Sequence, residues 1–133
     1  MSHKKTNLKA RVCKAKAAVP FISVLQNDKA GRLRNAVVPG SDGKQYDVIL
    51  WREHGGIQAE CNLKTSGGGV NCQGAESTVC YHMIAAVIKA AGDRKVAFCQ
   101  NEPDARRLAN VLHADVFKVA SRWHSERKLW LVT

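Results

Sequence analysis

The rhythm of apolar and polar positions changes three times along the chain. Residues 6–18 contain no glycine, and Leu8, Val12, Ala15 and then Val19 recur at roughly helical spacing among Lys9, Arg11, Lys14 and Lys16. This predicts a helix that Pro20 stops or kinks. "FISVLQ" fits a buried strand or a further helical turn, because periodicity does not separate the two in so short a run. "NDKAGR" reads as a turn or loop.

From "RNAVVPG" onward the period shortens to two. Asp42-Gly43 is a strong hairpin signal. In "KQYDVILWRE", Tyr46, Val48 and Leu50 alternate with Asp47, Ile49 and Trp51. "HGG" turns the chain and "IQAECNL" pairs back, which predicts a three-stranded antiparallel meander whose last strand delivers Cys61. After a glycine-rich loop the period returns to that of a helix, from about Thr78 to Ala91. Ser77 or Thr78 is its expected N-cap, Met83, Val87 and Ala91 form its stripe, and Gly92 is its expected C-terminal cap.

The last third reads strand, helix, strand, strand. "KVAFCQ" is a short apolar strand, and Asn101 with Asp104 three residues later can open the helix "NEPDARRLANVLHA". "DVFKVASRW" and "KLWLVT" form a hairpin around "HSER". A turn centred on Glu126-Arg127 would make Trp123 and Trp130 cross-strand neighbours. The pattern as a whole predicts an α+β fold in which a three-stranded antiparallel meander plus a helix is followed by a β-α-β-β unit. Its expected division is a basic helical segment at 1–35, a cysteine-bearing module at 36–92 and the C-terminal unit at 93–133, packed as one compact domain.

Composition narrows the setting. A 133-residue chain that is 45% hydrophobic can bury one core. No apolar run approaches a membrane span, and the basic N-terminus lacks the apolar stretch of a secretory signal, so the expectation is an intracellular protein, cytoplasmic or nucleoid/nuclear, with no membrane partner. Five cysteines cannot all pair within one chain. In a reducing compartment, thiols gathered in one stretch point to metal rather than to disulfides.

The net charge of +10 is unevenly placed. Residues 1–35 carry nine basic and one acidic side chain (+8), residues 36–92 four and five (−1), and residues 93–133 eight and five (+3). Such a balance favours polyanionic partners, DNA or RNA, with solubility as the bland alternative. The candidate contacts are Lys9, Arg11, Lys14 and Lys16, extended by Arg32 and Arg34, and by Arg122, Arg127 and Lys128 around the last hairpin. Trp123 and Trp130, interleaved with those cations, could stack on single strands or simply pack in the core.

The chemistry is concentrated between residues 61 and 82, where the spacing is Cys-x10-Cys-x7-Cys-x-His. Cys61, Cys72, Cys80 and His82 offer the four thiolate and imidazole ligands that a tetrahedral structural Zn2+ takes. The intervening loop has only Leu63 and Val70 as sizeable apolar residues, so it lacks burial to offset its ordering entropy, and an ion can supply that stabilisation. The alternative is unligated, buried thiols. Four good ligands close the coordination sphere, so neither zinc catalysis with Glu60 or Glu76 nor Cys80–His82 nucleophilic chemistry is expected, and no small-molecule substrate follows. His54 is a reserve ligand. Cys13 and Cys99 are expected to pack or to stand apart from the site, His113 to end a helix and His124 to lie in a loop.

Residues 36–92 resemble the SWIM zinc finger, whose pattern is Cys-x-Cys, a variable loop, then Cys-x-His opening an apolar helix. "CYHMIAAVIKAAG" is similar to the family's helix start, and "GKQYDVILWREHGGIQAEC" to the strand pair ahead of its first cysteine. Leu63 stands where the second cysteine of that pattern falls, so Cys72 would take its place from further along the loop. SWIM modules occur in chromatin-remodelling ATPases, transposase-like proteins, recombination accessory proteins and some ubiquitin-ligase relatives. The resemblance implies a zinc-stabilised binding module for DNA or for protein. The leading expectation is therefore a nucleic-acid-binding protein, DNA before RNA. The alternative is a protein-interaction adaptor that docks a larger partner on the zinc module.

Overall fold

The computed structural model describes residues 8–22, 24–27, 33–40, 43–53, 55–63, 70–71, 79–92, 94–121 and 128–133. Among them, three α-helices flank one mixed sheet, an α+β arrangement. Helix α1 (Leu8–Ala18) runs into a 3-10 turn at Val19–Phe21, where Pro20 ends the α-helical ladder. "FISVLQ" contributes the last residue of that turn and then most of strand β1 (Val24–Asn27). Strands β2 (Leu33–Pro39), β3 (Gln45–Glu53) and β4 (Gly56–Leu63) follow as successive antiparallel neighbours, with β1 added at the outer edge. Gly43 closes the β2–β3 loop at φ 79°, its N–H donating to Gly40 O, and Gly55 turns the β3–β4 hairpin at φ 74°. The short β5 (Val70–Asn71) pairs with the end of β4.

Helix α2 (Tyr81–Ala91) comes next, then β6 (Ala97–Cys99), α3 (Glu102–Leu112), β7 (Val116–Ser121) and β8 (Lys128–Val132). The strand order is β1-β2-β3-β4-β7-β8-β6, with β5 off this path on β4. The C-terminal unit thus extends the first sheet: β7 lies parallel to β4, with Ile57 opposite Val119 and Ala59 opposite Ser121. Strand β8 inserts between β6 and β7, antiparallel to both.

Alternation along β8 shows how the layers are built. Leu129 and Leu131 pack with Val48, Leu50, Ala59 and the buried side of α2, whereas Trp130 and Val132 pack with Ala105 and Ala109 of α3. Helices α1 and α2 therefore cover one face of the sheet and α3 the other. A strand that is apolar on both faces is suited to this central position. Helix α2, wedged between α1 and the sheet, buries every residue from His82 to Val87. It ends where expected: Gly92 has φ 65° and donates its N–H to Lys89 O.

Three expectations are corrected. Helix α2 begins at Tyr81 rather than near Thr78, and its N-cap is Cys80, held extended at φ −72° and ψ 163°. Ser77 and Thr78 lie outside the described residues. Trp130 pairs with Lys118, so the β7–β8 register is centred nearer the start of the connection than Glu126-Arg127, and Trp123, itself outside the described residues, is not its partner. Gly56, read as part of the turn, is the first residue of β4.

Candidate metal centre

Three of the four proposed ligands converge. Cys61 lies in β4 opposite Val48, on the face covered by α2. Cys80 and His82 come from the N-cap and second residue of α2. All three are buried, with relative exposures of 1%, 2% and 4%. Cys61 Sγ is 3.6 Å from His82 Nδ1, and the three candidate ligand atoms lie within 4.8 Å of one another. A tetrahedral ion with metal–sulfur and metal–nitrogen bonds of zinc length separates such atoms by about 3.6 Å. The Cys/Cys/His group could thus hold a metal ion. Cys80 at a helix N-cap also places its sulfur where the helix dipole favours a thiolate.

Cys72, His54, Arg32, Arg122, His124 and Arg127 lie outside the described residues. Strand β5 ends at the residue before Cys72: Asn71 is opposite Asn62, and Val70 is opposite Leu63. The residue preceding Cys72 therefore stands beside the residue following Cys61.

Three neighbours of the site did not stand out in the sequence. The ring of Tyr46 stacks on His82 at 4.0 Å and 22°, and Tyr81 approaches the same imidazole at 4.0 Å and 39°. The two rings fix the imidazole plane, and Lys14 Nζ sits 4.4 Å from the centroid of Tyr81. Arg11 is the third. It was expected on a phosphate-binding strip, but it is 7% exposed and donates from Nη1 to Val79 O at 2.8 Å. Burial lowers its pKa, and the nearby Cys80 sulfur opposes that shift. The signal was present in the spacing: Leu8, Arg11, Val12 and Ala15 fall on one helical stripe, so Arg11 shares the face that Ala15 buries completely.

The other candidates separate. Lys9, Lys14 and Lys16 are exposed on α1, and Lys128 is exposed at the start of β8. The backbone of Arg34 lies in β2 opposite Leu50. Trp130 packs in the layer under α3. Cys13 is exposed, whereas Cys99 packs against the α3 cluster, where burial and the nearby Asp104 carboxylate raise its pKa and keep it a thiol. His113 ends α3 in a left-handed cap at φ 53°, which places it at a helix end as expected. Among the described residues no helix is long and apolar enough to cross a membrane. Comparisons with protein families, with curated proteins and with solved structures gave no match to this chain.

Proposed function

We propose that this chain is a zinc-stabilised, SWIM-like module that binds nucleic acid, DNA before RNA, through a basic surface centred on α1. Zn2+ is the ion that suits the site: two buried cysteine sulfurs and an imidazole from β4 and α2 form a soft donor set. In this reading the fourth ligand is Cys72, which lies outside the described residues. The ion's role is structural, since four protein ligands leave no open position for a substrate. The protein is then a binding module and not an enzyme.

The observation that carries the nucleic-acid reading is the placement of charge. Lys9 and Lys16 are exposed and two helical turns apart, so they align on one side of α1 in a chain of net charge +10. Lysines so placed neutralise phosphates without reading bases, which predicts salt-sensitive affinity with little sequence preference.

Binding to a labelled duplex and to single-stranded DNA and RNA, measured over a salt series, tests this. The Lys9→Gln/Lys16→Gln pair leaves Arg11 and Lys14, which make internal contacts, in place. It should lower the slope of log K against log salt by about 2, roughly one unit per lost phosphate contact. Negligible binding of all three polymers at low salt would transfer the module to the adaptor reading, with a protein partner on the zinc module.

A further inference from the structure

We propose that Tyr46 and Tyr81 are positioning residues of the metal centre: their rings hold the His82 imidazole in the plane that turns Nδ1, and not Nε2, toward the ion. The inference rests on the metal reading above and adds to it the ligating nitrogen and the two residues that orient it.

The sheet and the helix each bring a ligand and a ring. In the antiparallel pairing of β3 with β4, Val48 is opposite Cys61 and Tyr46 is opposite Leu63. Side chains alternate along a strand, so Tyr46 shares the face of Val48 and is the diagonal neighbour of Cys61, within reach of an aromatic side chain. The start of α2 supplies Cys80, Tyr81 and His82 in succession. The Tyr46 ring stacks on the imidazole with centroids 4.0 Å apart and planes inclined by 22°, and Tyr81 lies against it at 4.0 Å and 39°. Both tyrosines pack against the main core, and Lys14 Nζ lies 4.4 Å from the Tyr81 centroid, so each ring is itself held.

The plane of the ring matters because the lone pair of an imidazole nitrogen lies in it. Fixing the plane fixes where that nitrogen can meet an ion, which is how groups around a ligating histidine preorganise a site. Nδ1 is the nitrogen turned to the sulfur: it lies 3.6 Å from Cys61 Sγ, which matches the edge of a tetrahedron with zinc-length bonds, about 3.6 Å. Nε2 is buried across the ring, and an ion held by Cys61 would meet it only if the imidazole left both aromatic contacts. A divalent ion also draws electron density out of the imidazole. The electron-rich faces of the tyrosine rings favour such a polarised partner, as they favour a cation. The contacts are therefore stronger in the loaded site than in the metal-free one, and that difference is what raises affinity for the ion.

The test uses the full chain, labelled with spin-half nitrogen, and takes spin-half Cd2+ and Co2+ as probes. In Cd2+-loaded wild-type protein, His82 Nδ1 should show one-bond coupling to cadmium and Nε2 none. The His82 ring protons should resonate upfield of those of an exposed histidine, the signature of stacked aromatic neighbours. Tyr46→Leu should bind Co2+ about 10–100-fold more weakly, the range for loss of a group just outside the ligand shell. Tyr46→Phe, which keeps the ring, should bind close to wild type, a rescue that assigns the effect to stacking and not to the hydroxyl. Cadmium coupling at Nε2, or none at His82 despite cobalt–thiolate absorption, overturns the assignment. Unshifted ring protons overturn the aromatic clamp. Both are read in wild-type protein, so they stand even if the leucine variant fails to fold. A folded Tyr46→Leu protein with wild-type Co2+ affinity overturns the positioning role. Absence of cobalt–thiolate absorption in wild type sinks the metal reading itself, and is thereby distinguished from the other outcomes.

Discussion

Cys61 Sγ and His82 Nδ1 lie 3.6 Å apart, although they are 21 positions apart in the sequence. The first sits on the last long strand of the meander and the second in the opening turn of the helix that covers it. A thiol and an imidazole held so close in a buried layer join two elements at one point.

Removing that thiol should therefore unfasten α2 from β4. Purified protein is expected to bind one equivalent of Co2+ with thiolate-to-metal absorption, and Cys61→Ser should weaken or abolish that band. Chelation of the wild-type protein should lower its melting temperature sharply, since structural zinc contributes on the order of 10 kcal/mol to small folds that depend on it. In Cys61→Ser, chelation should change little. Equal melting temperatures for wild-type protein with and without metal would count against an ion at this site.

A second prediction concerns the seam between the two halves of the sheet. A Cβ built on Gly56 would lie 2.9 Å from Lys118 O, closer than atoms of that kind pack. The obstacle is backbone, so no side chain can swing away. Gly56→Ala should force β4 and β7 apart at the start of their parallel pairing and cost about 1–3 kcal/mol, the usual range for overpacking. Urea denaturation gives the number, and exchange at β7 amides should show where the seam loosens. Gly55, at φ 74° with open space around its Cα, would lose stability for a different reason, the strain of a left-handed backbone, without disturbing β7.

Local signals account for what was legible in the sequence. Asp42-Gly43, the alternation in β3, the terminal Gly92 and the Asn101–Asp104 spacing each report on a few neighbouring residues, and the elements they mark are present. Cys61, Cys80 and His82 were legible as a group because few chemistries call for such residues at a strand end and a helix start. Partners across the fold were not legible. Nothing near Ile57 or Val119 says that these residues pair in parallel, since each strand pattern gives its own faces and not its neighbour. A glycine heading a strand was the trace of that close approach. Arg11 was misread because its charge outweighed its position; the stripe from Leu8 to Ala15 marked it as inward-facing. The Trp130–Lys118 pairing depends on where the β7–β8 connection turns, and periodicity does not fix that centre.

The entry to α3 gives the last prediction, and it depends on pH. Asn101 Oδ1 accepts from the Asp104 N–H at 3.0 Å, and Asn101 Nδ2 donates to Asp104 Oδ2 at 3.0 Å, so the cap and the first turn hold each other. Arg107, one turn on, also donates to the Asp104 carboxylate. Hydrogen bonds from Arg107 and then Asn101 hold the Asp104 pKa below the usual carboxylate range. A carboxyl that is more acidic in the folded protein stabilises the fold at pH values above its unfolded pKa. That contribution is lost as pH falls through the lowered folded value. Amide exchange in the first turn of α3 should therefore stay slow at neutral pH and quicken below about pH 3.9, the ordinary aspartate midpoint. Asp104→Asn should flatten this acid dependence locally. Asn101→Ala should cost about 1 kcal/mol at neutral pH through loss of the cap. A carboxyl carbon shift for Asp104 that titrates at or above the ordinary midpoint would contradict the assignment, because the two hydrogen bonds favour only the charged form.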